Sequence, residues 1–110
     1  TLEYRAHSAP IGMVFGGGTL LPESMRDDAF VAMRGSWNRL PPSGYEVVRI
    51  AFDGGRPTGF HPVVQGWLIE GGAAHFGRLA GVALAKDGAI LVSDDANGVI
   101  YRIAPVSSAR

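Results

Sequence analysis

Residues 81–103 read GVALAKDGAILVSDDANGVIYRI, a stretch in which three apolar runs alternate with two turn signals. Each run has the length of a short strand. The runs cover residues 81–85, 89–93 and 99–103. Asp87-Gly88 separates the first two runs and Asn97-Gly98 separates the last two. Both dipeptides favour tight hairpin turns, and Asn-Gly favours type I′ in particular, so the stretch predicts three antiparallel strands joined by hairpins.

The first half of the chain repeats this pattern of short apolar runs between turns rich in glycine and proline. Four runs predict strands there, and the fourth is weaker because Gly66 interrupts it. They cover residues 10–15, 30–33, 45–52 and 63–69. No apolar residues keep a helical period over three turns, so helix is predicted only as a single turn within residues 22–29, with Ser24 as a candidate cap. The chain is therefore predicted to be all-β and built of antiparallel meanders.

The strand count fits two arrangements that the pattern alone does not separate. Four strands followed by three are the content of one complete propeller blade and one blade that lacks its outer strand. In that interpretation blade one covers about residues 8–70 and blade two about 76–104, and an extra strand at residues 2–5 would close the second blade. Two blades do not complete a ring, since propellers have about four to eight. A β-sandwich accounts for the same strands.

The composition limits the kind of protein. The 110 residues carry ten basic and ten acidic side chains, and a net charge of zero argues against a nucleic-acid or membrane-surface partner. The chain has no cysteine, which excludes disulfides and thiolate chemistry. No apolar run approaches the ~18 to 20 residues that span a bilayer. We therefore expect residues 1–110 to form a single domain or fragment without a membrane span.

Residues 34–39, with the sequence RGSWNR, are the densest polar cluster and directly follow a predicted strand. Arg34 and Arg39 offer planar forks of donors for carboxylates. Trp37 adds a stacking surface and Asn38 an amide, and the whole set suits a flat, acidic, aromatic ligand. The same residues would also suit a solvated surface loop whose tryptophan fills a gap between strands.

Arg78 follows Gly77 and immediately precedes a predicted strand. In a propeller this position points toward the central channel, whereas in other folds it would be an ordinary exposed arginine. Residues 94–98, DDANG, lack the spaced ligands and terminal glutamate of an EF-hand, so we interpret them as a hairpin turn with acidic ends rather than a calcium loop. The three histidines have no metal-ligand spacing. No catalytic or metal-binding residue is predicted in this chain.

Several segments, taken in chain order, share their motifs with one family. They are HSAPIG (7–12), RGSWNR (34–39), PSGY with VRI (42–45 and 48–50), GR with GVA (77–78 and 81–83), DGAILVSDD (87–95) and GVIYR (98–102). Together they resemble the glucose/sorbosone dehydrogenases, and within them the L-sorbosone dehydrogenase-like proteins. The resemblance covers nearly the whole chain, and GSWNR and LVSDD are its most specific parts.

The resemblance implies a six-bladed β-propeller that uses pyrroloquinoline quinone (PQQ) and calcium and is exported to the periplasm. Such enzymes oxidise sugars or sugar aldehydes by moving a hydride from the substrate carbon to the quinone, and this chain would match their C-terminal portion. The resemblance places Arg34, Trp37, Asn38 and Arg39 at the quinone from one blade and Arg78 from the next. Many relatives have histidine where this chain has Arg34, so the local charge differs.

The resemblance also implies that the family's catalytic histidine and calcium-ligating segment lie in earlier blades. We therefore expect the isolated chain to be inactive as an enzyme, although it would be part of a quinone-dependent oxidoreductase acting on a sugar or aldehyde. The alternative is a non-catalytic propeller or sandwich module that binds a ligand or protein and forms a homo-oligomer through exposed blade edges. Convergence of Arg34, Trp37, Asn38, Arg39 and Arg78 on one channel would favour the enzyme fragment.

Overall fold

The computed structural model describes residues 2–17, 20–36, 40–72 and 74–106 of the protein. These residues form nine strands and two short 3-10 helices, Glu23–Met25 and Glu70–Gly72. The strands are β1 Pro10–Phe15, β2 Ala29–Met33, β3 Glu46–Asp53, β4 Arg56–Val64, β5 Leu68–Ile69, β6 Ala74–His75, β7 Leu79–Leu84, β8 Ile90–Asp94 and β9 Val99–Ile103. They pair antiparallel in three sheets, β1-β2-β3-β4, β5-β6 and β7-β8-β9. The prediction of an all-β antiparallel fold is confirmed.

Strand β2 is buried along its whole length because both faces of the four-stranded sheet are covered at this point. Alternate residues of a strand point to opposite faces. Phe30 and Ala32 belong to the core that the four-stranded sheet shares with the three-stranded sheet. Val31 and Met33 pack on the opposite face together with Val48. This double burial explains why the sequence of β2 is apolar without alternation.

The main core lies between the four-stranded and the three-stranded sheet. Phe30 comes from the first sheet and Ile90 and Val92 from the second, and all three side chains are fully buried. At the edge of the core the rings of Trp67 and Tyr101 meet edge to face, with centroids 5.5 Å apart. Burial of one such aliphatic or aromatic side chain contributes about 1.5–3 kcal/mol. The two sheets therefore form one packed body, in which β1 and β2 also contact β7.

The fourth strand of the first sheet differs from its prediction. We expected a strand at residues 63–69, but β4 runs over Arg56–Val64, and Gln65 and Gly66 belong to no strand. The strand contains Pro57 and Pro62, residues that lack a backbone donor and weaken a strand prediction. They are tolerated because β4 is an edge strand of its sheet.

Two local predictions near turns were wrong. The β8–β9 connection is a four-residue turn over 95–98 in which Gly98 has a φ of 66° and Asn97 has no positive φ, so it is not type I′. Hydrogen bonds to the Asp94 carboxylate stabilise this longer turn. Ser24 lies inside the first 3-10 helix, which begins after Pro22 and has no side-chain cap.

Residues 2–5, expected as a strand that would close the second blade, carry no strand. The ring of Tyr4 instead meets Phe60 of β4 edge to face, with centroids 5.1 Å apart, so this segment packs on the four-stranded sheet. Within the described part of the chain, no helix has the length and apolarity needed to cross a membrane.

Candidate functional site at the shared end of the two sheets

The candidate site lies where β2 and β8 end and β3 and β7 begin. Met33 pairs with Glu46 in the four-stranded sheet, and Leu79 pairs with Asp94 in the three-stranded sheet. These four residues therefore mark one end of each sheet. A hydrogen bond from Arg34 to the Leu79 carbonyl shows that the two ends adjoin, so the polar loops of both sheets form one surface.

Arg34 connects the first sheet to the second. Its Nη1 donates to the Leu79 carbonyl oxygen at 3.1 Å and lies 3.0 Å from Oδ2 of Asp95. Its backbone N–H donates to the Ala9 carbonyl at 2.9 Å, which fixes the base of the side chain. The Arg34 and Asp95 side chains are 31% and 53% exposed, so their ion pair is worth no more than about 1 kcal/mol. The arginine therefore keeps a water-accessible cation at this surface.

Arg78 directly precedes β7 of the three-stranded sheet and bonds to the loop that follows β2 of the four-stranded sheet. Its Nη2 donates to the Gly35 carbonyl at 3.0 Å, and its Cζ lies 5.6 Å from the centroid of the Tyr45 ring. Its Nε is buried and has no hydrogen-bond partner among the described residues. An unpaired buried donor is unfavourable by about 1–3 kcal/mol, and an acceptor on a ligand would relieve this. The guanidinium of Arg78 is therefore held in place, but its Nε has no hydrogen-bond partner among the described residues.

Asp94 holds the backbone from which Arg78 projects. Its Oδ1 accepts hydrogen bonds from the backbone N–H groups of Arg78, Ala96 and Asn97, at 2.9–3.2 Å. Its Oδ2 accepts from Nδ2 of Asn97 at 2.8 Å and from the hydroxyl of Tyr101 at 3.0 Å. Burial raises the pKa of this carboxyl, but the hydrogen bonds from Asn97, Arg78 and Tyr101 lower the pKa by more than burial raises it. The net result is a pKa of about 2. Asp94 is therefore an anion at neutral pH.

Gly77 permits this approach of Asp94 to the loop. A Cβ on Gly77 would overlap the Asp94 carboxylate and lie 3.0 Å from a ring carbon of Trp67. Only glycine therefore fits between the carboxylate and the tryptophan. This contact explains why glycine precedes Arg78.

The ring of Tyr45 packs against the guanidinium of Arg78. The residue is buried, has a φ of 60°, and donates its hydroxyl to the Ser36 carbonyl at 2.6 Å. Its ring stacks on His75, with centroids 5.2 Å apart and an interplanar angle of 24°. A Cβ on Gly35 would overlap the Tyr45 ring, so Gly35, with a φ of 112°, is required there. An aromatic residue rarely adopts a left-handed backbone conformation, so Tyr45 marks a constrained position beside Arg78.

The structure brings two of the five predicted site residues together. Arg34 and Arg78 both lie at the shared end of the sheets, where Arg34 bonds to the Leu79 carbonyl of β7 and Arg78 bonds to the Gly35 carbonyl in the loop after β2. Trp37, Asn38 and Arg39 lie outside the described residues, so their convergence with this pair stays a prediction.

Three residues of this surface were not predicted from the sequence. Tyr45 was assigned only to a strand, and His75 has no informative neighbour in the sequence. Asp94 was interpreted as one end of a turn, which it is, but its carboxylate also supports the backbone of Arg78. A strand-ending Asp followed by an Asn-Gly pair was the one available signal, since Asp and Asn side chains commonly bond nearby backbone groups.

Metal binding has no support in the described part of the chain, where no three His, Asp or Glu side chains are grouped closely enough to hold an ion. Both oxygens of Asp94 accept hydrogen bonds from protein groups. The DDANG segment is a hairpin turn, as its sequence predicted.

Known proteins are similar to this chain in sequence and in fold. The TrAA12-like family matches residues 1–105. An uncharacterized protein of Borreliella burgdorferi is 34% identical over 103 residues, which are 92% of this chain and 27% of that protein. A pyrroloquinoline quinone-dependent pyranose dehydrogenase of Coprinopsis cinerea is 46% identical over 48 residues, which are 44% of this chain and 6% of that protein. The chain thus spans about a quarter or less of the curated relatives it matches.

Two solved structures have a similar backbone. The holo form of the pyranose dehydrogenase PQQ domain from Coprinopsis cinerea matches with a TM-score of 0.69 and 28% identity, over 90% of this chain and 27% of that one. The iodide structure of the Trichoderma reesei carbohydrate-active enzymes family AA12 protein matches with a TM-score of 0.70 and 23% identity, over 88% of this chain and 25% of that one. At that identity the second match speaks for the fold alone.

Proposed function

The chain belongs to the TrAA12-like family, and from this premise we propose that it contributes part of the quinone site of a PQQ-dependent sugar dehydrogenase. Its likeness to the PQQ-dependent pyranose dehydrogenase of Coprinopsis cinerea supports a dehydrogenase-like fragment. The observation that carries the proposal is the pair of arginines at the shared end of the sheets, where Nε of Arg78 is buried without a partner among the described residues.

The residues of this surface fit the chemistry of the quinone. PQQ carries three carboxylates on a flat conjugated body, and guanidinium groups are apt partners for both features. Arg78 has an unpaired donor to offer, and Tyr45 and Gly35 keep its guanidinium in place. Arg34 offers a second cation whose present partner, Asp95, is half exposed to water. When bound, the quinone would supply the hydride acceptor for oxidation of a sugar carbon.

Several finer features belong to the proposal. They are a six-bladed propeller of which this chain supplies about two blades, an L-sorbosone-type sugar or aldehyde substrate, and export to the periplasm. The close packing of β1 against β7 supports neighbouring blades, since these would be the innermost strands. We place the calcium ligands and the catalytic base in earlier blades, and we expect the isolated chain to have no turnover.

A calorimetric titration with PQQ, with and without calcium, tests the proposal. We expect binding by the wild-type chain, a large loss of affinity in R78A, and complete loss in the R39A/R78A double variant. Arg102→Ala is the matched control, because Arg102 pairs with Asp87 at the opposite end of the three-stranded sheet. Wild-type chain that does not bind PQQ, or an R102A variant that loses as much affinity as R78A, contradicts the proposed site.

Exposed apolar side chains favour a second candidate, a non-catalytic module that self-associates. Met13 and Phe15 of β1 are each 54% exposed, and Ile100 of β9 is 70% exposed. Such side chains on sheet faces favour association with another copy, and three copies would supply six blades. Light scattering should then show an oligomer that M13E or I100E dissociates. A monomer at every concentration contradicts this candidate.

A further inference from the structure

The turn between β8 and β9 contains a chemically reactive pair, Asn97-Gly98. Both residues are exposed, so water reaches the side-chain amide. In such a pair the backbone nitrogen of glycine can attack Cγ of the asparagine, because glycine has no Cβ to hinder the approach. A new carbon–nitrogen bond closes a cyclic imide, and the amide nitrogen leaves as ammonia. Water then opens the imide to aspartate or isoaspartate, so the net change replaces an amide by a carboxylate.

The fold holds both groups that would react. Nδ2 of Asn97, the leaving atom, donates to Oδ2 of Asp94 at 2.8 Å and to the Phe76 carbonyl oxygen at 2.9 Å. The backbone nitrogen of Gly98, the attacking atom, donates its hydrogen to the Asp94 carbonyl oxygen at 3.0 Å. The attack needs a Gly98 nitrogen without its proton and an Asn97 side chain free to turn toward it. The closed turn therefore protects the amide, and the reaction requires the turn to open.

A carboxylate at position 97 does not fit the closed turn. An oxygen in place of Nδ2 would face Oδ2 of Asp94 and the Phe76 carbonyl oxygen, and it could donate to neither. Asp94 is buried and ionised at neutral pH, so two carboxylates would repel each other at short range. Asp94 also accepts from the backbone N–H of Arg78. Displacing its carboxylate would loosen the backbone from which Arg78 projects.

We propose that Asn97 is a deamidation site, closed while Asp94 holds the turn and reactive when the turn opens, and that its product releases the backbone of Arg78. The inference goes beyond the proposed quinone site and does not depend on it, because every reacting group belongs to this turn. The step consumes one water and releases one ammonia, and it needs no cofactor. Since the lost amide does not return, the turn acts as a one-way switch.

Mass spectrometry of the full chain, incubated at mildly alkaline pH with and without guanidinium chloride, tests the protection. The tryptic peptide of residues 87–102 contains Asn97 as its only asparagine. A mass gain there reports deamidation, because isomerisation of the Asp87-Gly88 pair leaves the mass unchanged. Asn38, which precedes the bulky Arg39, is the internal control and should not react. We expect Asn97 to react at least about tenfold more slowly in the folded chain than in denaturant, and equal rates overturn the proposal.

Two variants incubated without denaturant separate opening of the turn from unfolding of the whole chain. Asp94→Asn removes the carboxylate that holds Nδ2 of Asn97, so the rate should rise toward that of the denatured chain, with fragment ions locating the mass gain at position 97. Ile90→Ala is the matched control, because Ile90 is fully buried between the sheets and its side chain makes none of the hydrogen bonds of the turn. We expect I90A to raise the rate less than D94N. A D94N rate equal to that of wild type, or an I90A rate that matches D94N, overturns the proposal.

Hydrogen exchange of the Arg78 backbone amide, followed by NMR, tests the effect of the product. Asn97→Asp carries the new carboxylate in advance, and Asn97→Ala removes the same amide without adding a charge. We expect the Arg78 amide to exchange at least about fivefold faster in N97D than in N97A at neutral pH. Equal exchange in the two variants overturns the release of Arg78. PQQ is absent from all three measurements, so a failure of the proposed quinone site would leave their outcome unchanged.

Discussion

Replacing Asp94 by asparagine should abolish a specific acid sensitivity of this fold. The Asp94 side chain is buried, with the residue 1% exposed, and its pKa is lowered from 3.8 to about 2 although burial opposes the shift. At about 1.4 kcal/mol per pKa unit, the ionised carboxylate stabilises the folded state by about 2 kcal/mol. Because the pKa is lower in the folded state, this stabilisation is complete above about pH 4 and is lost as the pH falls through about 2.

The D94N variant keeps the shape of the side chain but changes its hydrogen bonding. The new amide retains one oxygen for the backbone N–H groups that Oδ1 of Asp94 binds, but its nitrogen would face two donors, Nδ2 of Asn97 and the hydroxyl of Tyr101. At neutral pH we expect D94N to be less stable than wild type by about 2 kcal/mol. As the pH falls from about 4 to about 2 this difference should shrink, because only the wild type loses its carboxylate.

Urea unfolding followed by tryptophan fluorescence at several pH values measures the difference directly. Asp87→Asn is the matched control, because Asp87 is also hydrogen bonded, by Arg102 and by the Ala89 backbone, but is exposed. We expect the control to change stability far less than D94N. A difference between wild type and D94N that stays constant down to about pH 2 would refute the assignment of this acid sensitivity to Asp94.

Two further substitutions test the packing that positions the site. Gly77→Ala should destabilise the fold by about 1–3 kcal/mol in urea unfolding, because the new Cβ would overlap the Asp94 carboxylate. Gly17→Ala is the control and should be nearly neutral, because Gly17 has open space around it. Equal effects of the two substitutions would contradict the steric argument. Ile90→Ala should lower the free energy of unfolding by about 2–5 kcal/mol, because Ile90 is fully buried between the sheets. Ile100→Ala, at a residue that is 70% exposed, should change the free energy of unfolding by less than about 0.5 kcal/mol. A small effect of I90A would mean that the two sheets do not share a core.

Local sequence signals were sufficient where strand and turn preferences agreed. The predicted strands at 10–15 and 99–103 match β1 and β9 residue for residue. The prediction failed at β4 because proline and glycine are read as strand breakers, whereas an edge strand tolerates them. The type of the Asn97-Gly98 turn was predicted wrongly because the hydrogen bonds that the Asp94 carboxylate accepts from Asn97 outweigh the preference of the dipeptide.

The sequence by itself determined the all-β class, most strands and the identity of the arginines as candidate anion partners, because these depend on residues close together in the chain. Only the tertiary structure decided which side chains meet. Arg34 bonds to a carbonyl 45 residues away and Arg78 to one 43 residues away, and both contacts exist because two sheets pack with their ends together. Glu46 and Arg5 approach each other because the segment before β1 packs on the four-stranded sheet. Contacts of this range follow from sheet packing, which no local pattern of residues specifies.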